Sequence, residues 1–422
     1  MRKIYLGVLA LYLGILSSHA QTTTTTPPAV ADSSNYQTRK LKVDEINFVS
    51  AFYHQNGNNS AVTGGIGTEK LSDFANTLDV QLSKYNKAGR KNTFLFELGV
   101  DHYTSASSDK IDPYSVSSAS SQDTRVYPSL NWTQSNDKTG NAFGFTGSYS
   151  HEFDYQSFGA GFNLTRVSAD KNTQFDFKAN VFLDTWKVIL PVELRPPGYG
   201  SGSHRDDNRP VDSKPRNSFS TAFSLSQVIS TRLQGLFIVE PSYQKGLLAT
   251  DYQRVYFNGD FATGAGPNGD VYNERIESLP GSRYKLPIGV RFNYFLDDHF
   301  IIRTFYRYYM DNWGIRANTA EVEVPVKLTS FVSLSPFYRY TDQHGTRYFA
   351  PYGQHSVTEK YYTSDYDLST FHSNFVGLNV RLAPPNGVFG WQHLNMLEFR
   401  LGHYVRSTGL NSNIATVNLK FK

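Results

Sequence analysis

The alternation of apolar and polar residues with a period of two constrains the fold of this chain more than any other feature. Between residues 284 and 294 the even positions are apolar or aromatic, and the odd positions are polar, glycine or proline. The last ten residues, 413–422, repeat the pattern. Because successive side chains of a strand point to opposite faces, the pattern predicts strands with one apolar and one polar face.

The predicted strands are about ten residues long and carry aromatic residues near their ends, which is typical of transmembrane barrels. Hydrocarbon offers no hydrogen-bond partners, so a sheet in a bilayer must close on itself. The sequence therefore predicts an all-β fold, a transmembrane up-and-down antiparallel β-barrel of about 16 strands (range 14–18). The predicted strands are 42–53, 73–84, 92–103, 124–134, 141–152, 155–167, 173–187, 217–229, 231–243, 282–295, 298–311, 313–327, 330–343, 370–382, 391–406 and 413–422.

The connections between these strands alternate in length, and this alternation predicts the orientation of the barrel. Short turns are expected on the periplasmic side and long loops on the outer side. A secreted β-sandwich or propeller is the alternative, but its strands would be shorter, about five or six residues. The long connections are 54–72, 104–123, 188–216, 244–281 and 344–369.

The N-terminus has the three parts of a secretion signal. Arg2 and Lys3 precede an apolar stretch, Ile4–Leu16, and small residues at Ser18 and Ala20 predict cleavage after Ala20. A membrane anchor is the alternative, but the stretch is short for a spanning helix. We therefore divide the chain into a signal peptide (1–20), a low-complexity Thr/Pro lead-in (21–40) and the barrel (41–422).

The amino-acid composition narrows the classes of partner and cofactor that we expect for this protein. The chain has no cysteine, which excludes disulfides, thiolate metal sites and a lipid attached to cysteine. Its net charge of +4 is too small to indicate nucleic-acid binding. We expect an outer-membrane protein whose partners are the lipid bilayer, the outer-membrane assembly machinery and small polar solutes, and we expect no cofactor.

Charged residues on the polar face of consecutive predicted strands form the main candidate site. One interpretation is a charged constriction that selects solutes. The other is a set of cross-strand ion pairs that stiffens the wall. The five basic residues outnumber the two acidic ones, so an open pore would favour anions. This lumen-facing wall comprises Arg291, Arg303, Arg307, Glu321, Glu323, Lys327 and Arg339.

Catalytic and metal signals are weak. No GxSxG motif occurs, and Gly200–His204 is its nearest imitation, so we predict no catalytic residue and no enzyme activity. Loop carboxylates spaced by two can bind calcium, although turn formation by Asn-Gly and Asp explains them as well. A repeated small-residue string, 104–107 and 117–120, predicts a loop that folds onto the barrel mouth or binds a ligand. The weak calcium candidates are Asp260, Asp270, Asp365 and Asp367.

Several strings resemble a family of uncharacterised outer-membrane β-barrels known only as a domain of unknown function. They are the TSAS and SSAS pair and the segments YRYYMDNWGI (306–315), PFYRYTDQ (336–343) and YYTSDYDLS (361–369). The resemblance implies an outer-membrane location in Gram-negative bacteria and no particular activity. The leading hypothesis is a pore or transport-related channel for small polar solutes, with anionic solutes as one option. The alternatives are an envelope scaffold whose lumen is plugged by 244–281 and a barrel enzyme.

Overall fold

A computed structural model describes residues 40–104, 122–188, 190, 212–258, 264–265 and 271–422. These residues form sixteen wall strands, two of which are interrupted. In chain order they are β1 Lys42–Asn56, β2 Leu71–Tyr85, β3 Lys91–Thr104, β4 Gln122–Ser135, β5 Ala142–His151, β6 Tyr155–Val167, β7 Thr173–Val188, β8 Asp212–Ser230, β9 Leu233–Val239 with Ser242–Gly246, β10 Ser282–Phe295, β11 Ile301–Asp311, β12 Arg316–Glu323 with Val326–Lys327, β13 Val332–His344, β14 Phe371–Leu382, β15 Leu394–Arg406 and β16 Asn411–Phe421.

The wall is a closed antiparallel barrel. Each strand pairs with its neighbours along the chain, and β1 also pairs with β16 from Ile46↔Phe421 to Asn56↔Asn411. The prediction of a sixteen-stranded barrel is confirmed, and every predicted strand overlaps an observed one. The start of β8 differs most, because its pairing with β7 continues to Val188↔Asp212, five residues before the predicted start at 217.

A proline lies at each of the two interruptions in the wall. Pro241 separates the two parts of β9, and Pro325 lies between the two parts of β12. Proline has no N–H to donate, so the ladder lacks one hydrogen bond at each of these positions. Neighbouring backbone groups keep the wall joined, since the Glu240 N–H donates to the Pro287 carbonyl at 3.0 Å and the Pro325 carbonyl accepts from the Ile301 N–H at 3.1 Å.

The two faces of the wall differ as the alternation predicts. Directly paired residues of adjacent strands share a face, so the register sorts every strand residue into outward or lumen-facing. Large exposed apolar side chains lie mainly on the outward face, with exposures such as 53% for Val376 and 58% for Leu401. Others of this outward set are Phe52, Phe74, Phe96, Leu130, Phe145, Phe158, Leu183, Phe237, Phe292 and Val322.

Three long connections fold together at one end of the barrel. We call their described parts the cap: residues 57–70, 247–258, 264–265, 271–281 and 345–370. Inside 247–281, Arg254–Tyr256 pairs with Glu274–Ile276 as a small hairpin. Buried apolar clusters hold the cap together and include Trp313 and Ile315 from the β11–β12 connection. No helix within the described ranges is long and apolar enough to cross a membrane.

Candidate pore

The register brings the predicted charged wall together on the lumen face of β10 to β13. Arg291 lies opposite Phe305, Phe305 lies opposite Glu321, and Glu321 lies opposite Arg339. Arg303 lies opposite Glu323 on the same face. These residues therefore form one continuous patch, which we call the basic sector.

Two arginines of the basic sector form cross-strand ion pairs. Arg303 Nη1 lies 2.8 Å from Glu323 Oε1, and Arg339 Nη2 lies 2.5 Å from Glu321 Oε2. The Arg339 Nε–H also donates to Glu321, so that contact is bidentate on the arginine side. These pairs stiffen the wall and neutralise both glutamates locally.

Two other arginines keep their charge without such a partner. The Arg291 guanidinium stacks over the Phe305 ring at 5.3 Å. The negative charge of Glu240 acts on the Arg307 guanidinium. However, neither Arg307 nor Arg291 has an ion pair or a side-chain hydrogen bond among the described residues. The basic sector thus contains arginines of two kinds, those in cross-strand ion pairs and two without an ion pair among the described residues.

Lys327 and Arg400 complete the sector in different ways. Lys327 lies at the short-turn end, where its backbone N–H donates to the His299 carbonyl at 2.8 Å, so it belongs to the lower rim. Arg400, on β15, was not among the predicted residues. Its guanidinium lies 4.2 Å from the Phe337 ring centre, and its Nη1 lies 3.8 Å from Glu323 Oε2. The alternation of 391–406 already placed Arg400 on the polar face and could have identified it.

The cap at the long-loop end is held by polar contacts between distant segments. The Arg254 Nη1–H donates to the Val62 carbonyl at 3.0 Å, and the Thr363 hydroxyl donates to Glu277 at 2.5 Å. His355, only 1% exposed, hydrogen-bonds to Glu359 through Nδ1 at 2.7 Å. The cap is therefore a folded unit above the barrel mouth.

Of the weak calcium candidates, only two can be located. Asp260 and Asp270 lie outside the described residues, as do Gly200–His204 and most of the repeated small-residue string. The Asp365 carboxylate accepts from the Asp367 N–H at 2.8 Å and caps a 3₁₀ turn. Asp367 Oδ1 lies 2.5 Å from Arg406 Nη1. These contacts agree with the alternative interpretation, in which the aspartates stabilise the loop.

The same corner of the cap contains a buried glutamate. Burial raises the pKa of Glu69 to about 8, the carboxylates of Asp367 and Asp365 raise it too, and Arg406 opposes them. Glu69 is 8% exposed, and its Oε2 has no hydrogen-bond partner. A charged Glu69 therefore destabilises this corner, and a protonated one does not.

A second carboxylate group at the long-loop end was also missed by sequence reasoning. Ligand oxygens of Asp123, Glu152 and Asp154 lie within 4.8 Å of one another. The Tyr103 hydroxyl donates to Glu152 at 2.8 Å, and Arg125 lies 3.4 Å from it. Burial raises the pKa of Glu152 to about 7 although Arg125 and the Tyr103 hydrogen bond lower it. Residues from β3, β4 and the β5–β6 connection meet here, a proximity that only the folded register creates.

Comparison with known proteins identifies one family. A sequence profile described as "Protein of unknown function (DUF3570)" matches residues 98–407. No curated protein matches the chain.

Similar solved structures are all distant. OpdQ of Pseudomonas aeruginosa is 9% identical, with 90% of this chain and 98% of that chain covered and a TM-score of 0.34. A BenF-like porin from Pseudomonas fluorescens Pf-5 is 8% identical, with 92% and 100% covered and a TM-score of 0.36. A bacterial polysaccharide outer membrane secretin is 8% identical, with 89% and 98% covered and a TM-score of 0.45. Likenesses this distant carry no argument about function.

Proposed function

This chain belongs to the DUF3570 family of proteins of unknown function, and we propose that it is an outer-membrane channel for small polar solutes with a preference for anions. The observation that carries the proposal is the contrast between the two faces of the closed wall. The outward face is apolar and the lumen face carries arginines, of which Arg291 and Arg307 have no carboxylate partner at bonding distance. Sixteen strands enclose a lumen wide enough for water unless loops fill it.

Placement in a bilayer can be tested with two adjacent residues of β10. Val290 faces outward between Phe237 and Tyr306, whereas Arg291 faces the lumen. Val290→Arg is expected to destabilise folding into lipid vesicles by about 2–4 kcal/mol, because arginine is costly in hydrocarbon. Arg291→Ala is expected to fold with almost unchanged stability in the same urea titration. Equal effects of the two substitutions would contradict the membrane placement.

The anion preference follows from the unpaired arginines. A cation that enters the pore meets positive charge in a wall of low dielectric, and an anion meets attraction. In planar bilayers under a salt gradient, Arg291→Gln combined with Arg307→Gln should shift the reversal potential toward cations. The shift should shrink at about 1 M salt, where the screening length is about 3 Å.

The matched control removes two positive charges outside the lumen. Lys138→Gln combined with Lys171→Gln changes exposed residues of the short turns, and the selectivity should stay that of the wild type. A purified barrel that conducts no ions would refute the channel. Unchanged selectivity in the arginine double variant would refute the role of these two residues.

The cap favours a second candidate function, an envelope scaffold with a plugged lumen. His355 of the cap and Trp313, which packs against the cap, are each only 1% exposed, as expected of a folded plug and not of a freely moving loop. Replacing residues 254–276, which include the hairpin of Arg254–Tyr256 with Glu274–Ile276, by a short linker distinguishes the two functions. A large gain in conductance would support the scaffold, and an unchanged conductance would support the channel. We propose no catalytic role for either.

A further inference from the structure

Two carboxylates face each other across neighbouring strands in the middle of the lumen wall. Asp79 on β2 lies directly opposite Glu97 on β3 in the register. Neither makes a hydrogen bond or an ion pair among the described residues, and Asp79 Oδ1 is buried without a partner. We call Asp79 and Glu97 the carboxylate pair.

The stability of the sheet does not explain why these two carboxylates face each other. Like charges directly opposite on adjacent strands destabilise a sheet. Elsewhere in the lumen the chain avoids that cost by pairing glutamate with arginine, as Arg339 does with Glu321. On β1 the nearby Glu45 is likewise paired with Lys420. The carboxylate pair therefore stands out as two acidic groups that no basic residue pairs with among the described residues.

The closed ring places the carboxylate pair across the lumen from the unpaired arginines. In a ring of sixteen strands β2 is eight strands from β10 in either direction, and β3 is eight strands from β11. Arg291 lies on β10 and Arg307 on β11. The two walls at this position are thus opposite in space as well as in charge.

All four residues also lie at a similar depth. Asp79 and Glu97 are each six residues from the short-turn ends of their strands at Tyr85 and Lys91, and Arg307 is six residues from Ile301. Arg291 is four residues from the end of β10 at Phe295. Each strand climbs the wall at a common tilt, so equal counts from one end correspond to similar heights.

Opposed charges at one depth create an electric field across the pore rather than along it. A small anion or cation is attracted by one wall and repelled by the other. A solute that carries a separate positive and negative group can be attracted by both walls at once if it turns to match the field.

We propose that this constriction selects compact zwitterions such as amino acids, with the ammonium group toward Asp79 and Glu97 and the carboxylate toward Arg291 and Arg307. The inference rests on the proposed channel and names its solute class. It also explains why the carboxylate pair is kept in spite of its cost to the sheet.

The test compares two isomers of nearly equal size, one of which is a zwitterion and the other neutral. Glycine and glycolamide share one atomic composition, but glycine is a zwitterion and glycolamide is neutral. Swelling of proteoliposomes loaded with the wild-type barrel should be faster in glycine than in glycolamide. Asp79→Asn combined with Glu97→Gln should lower the glycine-to-glycolamide ratio by about two- to fivefold, the equivalent of one or two screened charge contacts.

The second variant tests the opposite wall. Arg291→Gln combined with Arg307→Gln should lower the same ratio, whereas the carboxylate variant alone should increase anion selectivity in planar bilayers. The control is Asp176→Asn, because this lumen carboxylate on β7 already accepts hydrogen bonds from Thr165 at 2.6 Å and from Gln174 at 2.8 Å. The control should keep the wild-type ratio.

The outcomes separate this inference from the channel itself. A barrel that passes neither isomer overturns the channel and the inference with it. Equal wild-type rates for the two isomers, or a ratio that survives loss of the carboxylate pair, overturn the inference and leave the channel intact. Heat-dependent gel mobility verifies that each variant has folded.

Discussion

The two ends of the barrel are built by different kinds of interaction. At the short-turn end, a turn is held by its own side chains, as where Asn86 Oδ1 accepts from the Ala88 and Arg90 N–H groups at 2.9 and 3.0 Å. At the long-loop end, Arg254 reaches the carbonyl of Val62, 192 residues away in the chain. One end is specified by local turn chemistry, and the other depends on contacts that exist only once the ring has formed.

Tryptophan shows the same contrast. Trp313 at the long-loop end is 1% exposed, donates its Nε1–H to the Ser282 carbonyl at 3.0 Å and lies 4.4 Å below the Arg283 guanidinium. Trp391 at the short-turn end is 55% exposed and touches the outward Phe421 edge-on at 5.5 Å. The cap has a core of its own, whereas the opposite end presents aromatic rings to its surroundings.

The largest effect expected at the cap is the loss of this core. Trp313→Ala should destabilise the barrel with its cap by about 3–5 kcal/mol, because it leaves a cavity and orphans the Ser282 carbonyl. Trp391→Ala, the matched change at the other end, should cost about 0.5 kcal/mol. Urea titrations in lipid vesicles measure both. Similar losses for the two tryptophans would contradict the contrast between the ends.

A smaller effect is expected from pH. The pKa of Glu69 is raised in the folded protein to about 8, so the folded cap binds a proton that the unfolded chain has released. Its stability is therefore highest below the usual pKa of a glutamate and falls as pH rises through about 8. Between pH 5 and pH 9 the loss should be about 1–3 kcal/mol, the cost of a buried charge without a full set of partners.

Tryptophan fluorescence during urea unfolding can follow this change, since Trp186 and Trp313 both lie in buried cap clusters. Glu69→Gln removes this titrating group and should reduce the pH dependence of the midpoint over this range, and Glu152, whose pKa burial raises to about 7, should account for part of what remains. A pH dependence as large as that of the wild type would assign the whole titration to other groups.

The smallest effect belongs to the short turns. Asn86→Ala removes two side-chain hydrogen bonds to the backbone and should cost about 0.5–1.5 kcal/mol. Lys87→Ala, an exposed neighbour in the same turn, is the control and should change little. A loss as large as that of Trp313→Ala would show that this turn contributes to more than its own closure.

The strands could be predicted because their signal is local. Alternation over ten residues identifies a strand and its two faces, and in the register Val290 lies beside Phe237 and Tyr306 while Arg291 lies beside Phe305. The prolines at 241 and 325 were visible in the sequence too, but whether they end a strand or interrupt it depends on the neighbouring strands that hold the chain in line.

The cap and the carboxylate pair could not be predicted in the same way. His355 is buried against the Thr363 carbonyl within one loop, yet that loop is fixed through Glu277 of another. Asp79 and Glu97 occupy ordinary polar positions of two early strands. Their relation to Arg291 and Arg307 appears only when the strands are counted around a closed ring. Long-range proximity, rather than local propensity, defines both features.

The pairing of β1 with β16 also has a kinetic consequence. Within the described part of the chain, every other wall contact joins consecutive strands through one connection, whereas Ile46 and Phe421 lie 375 residues apart. Bringing such distant ends together costs about 3 kcal/mol more chain entropy than closing a ten-residue turn. Contacts this far apart in sequence slow folding. The seam between the first and last strands is thus the step at which an open, curved sheet becomes a barrel, and the other fifteen pairings can form before it.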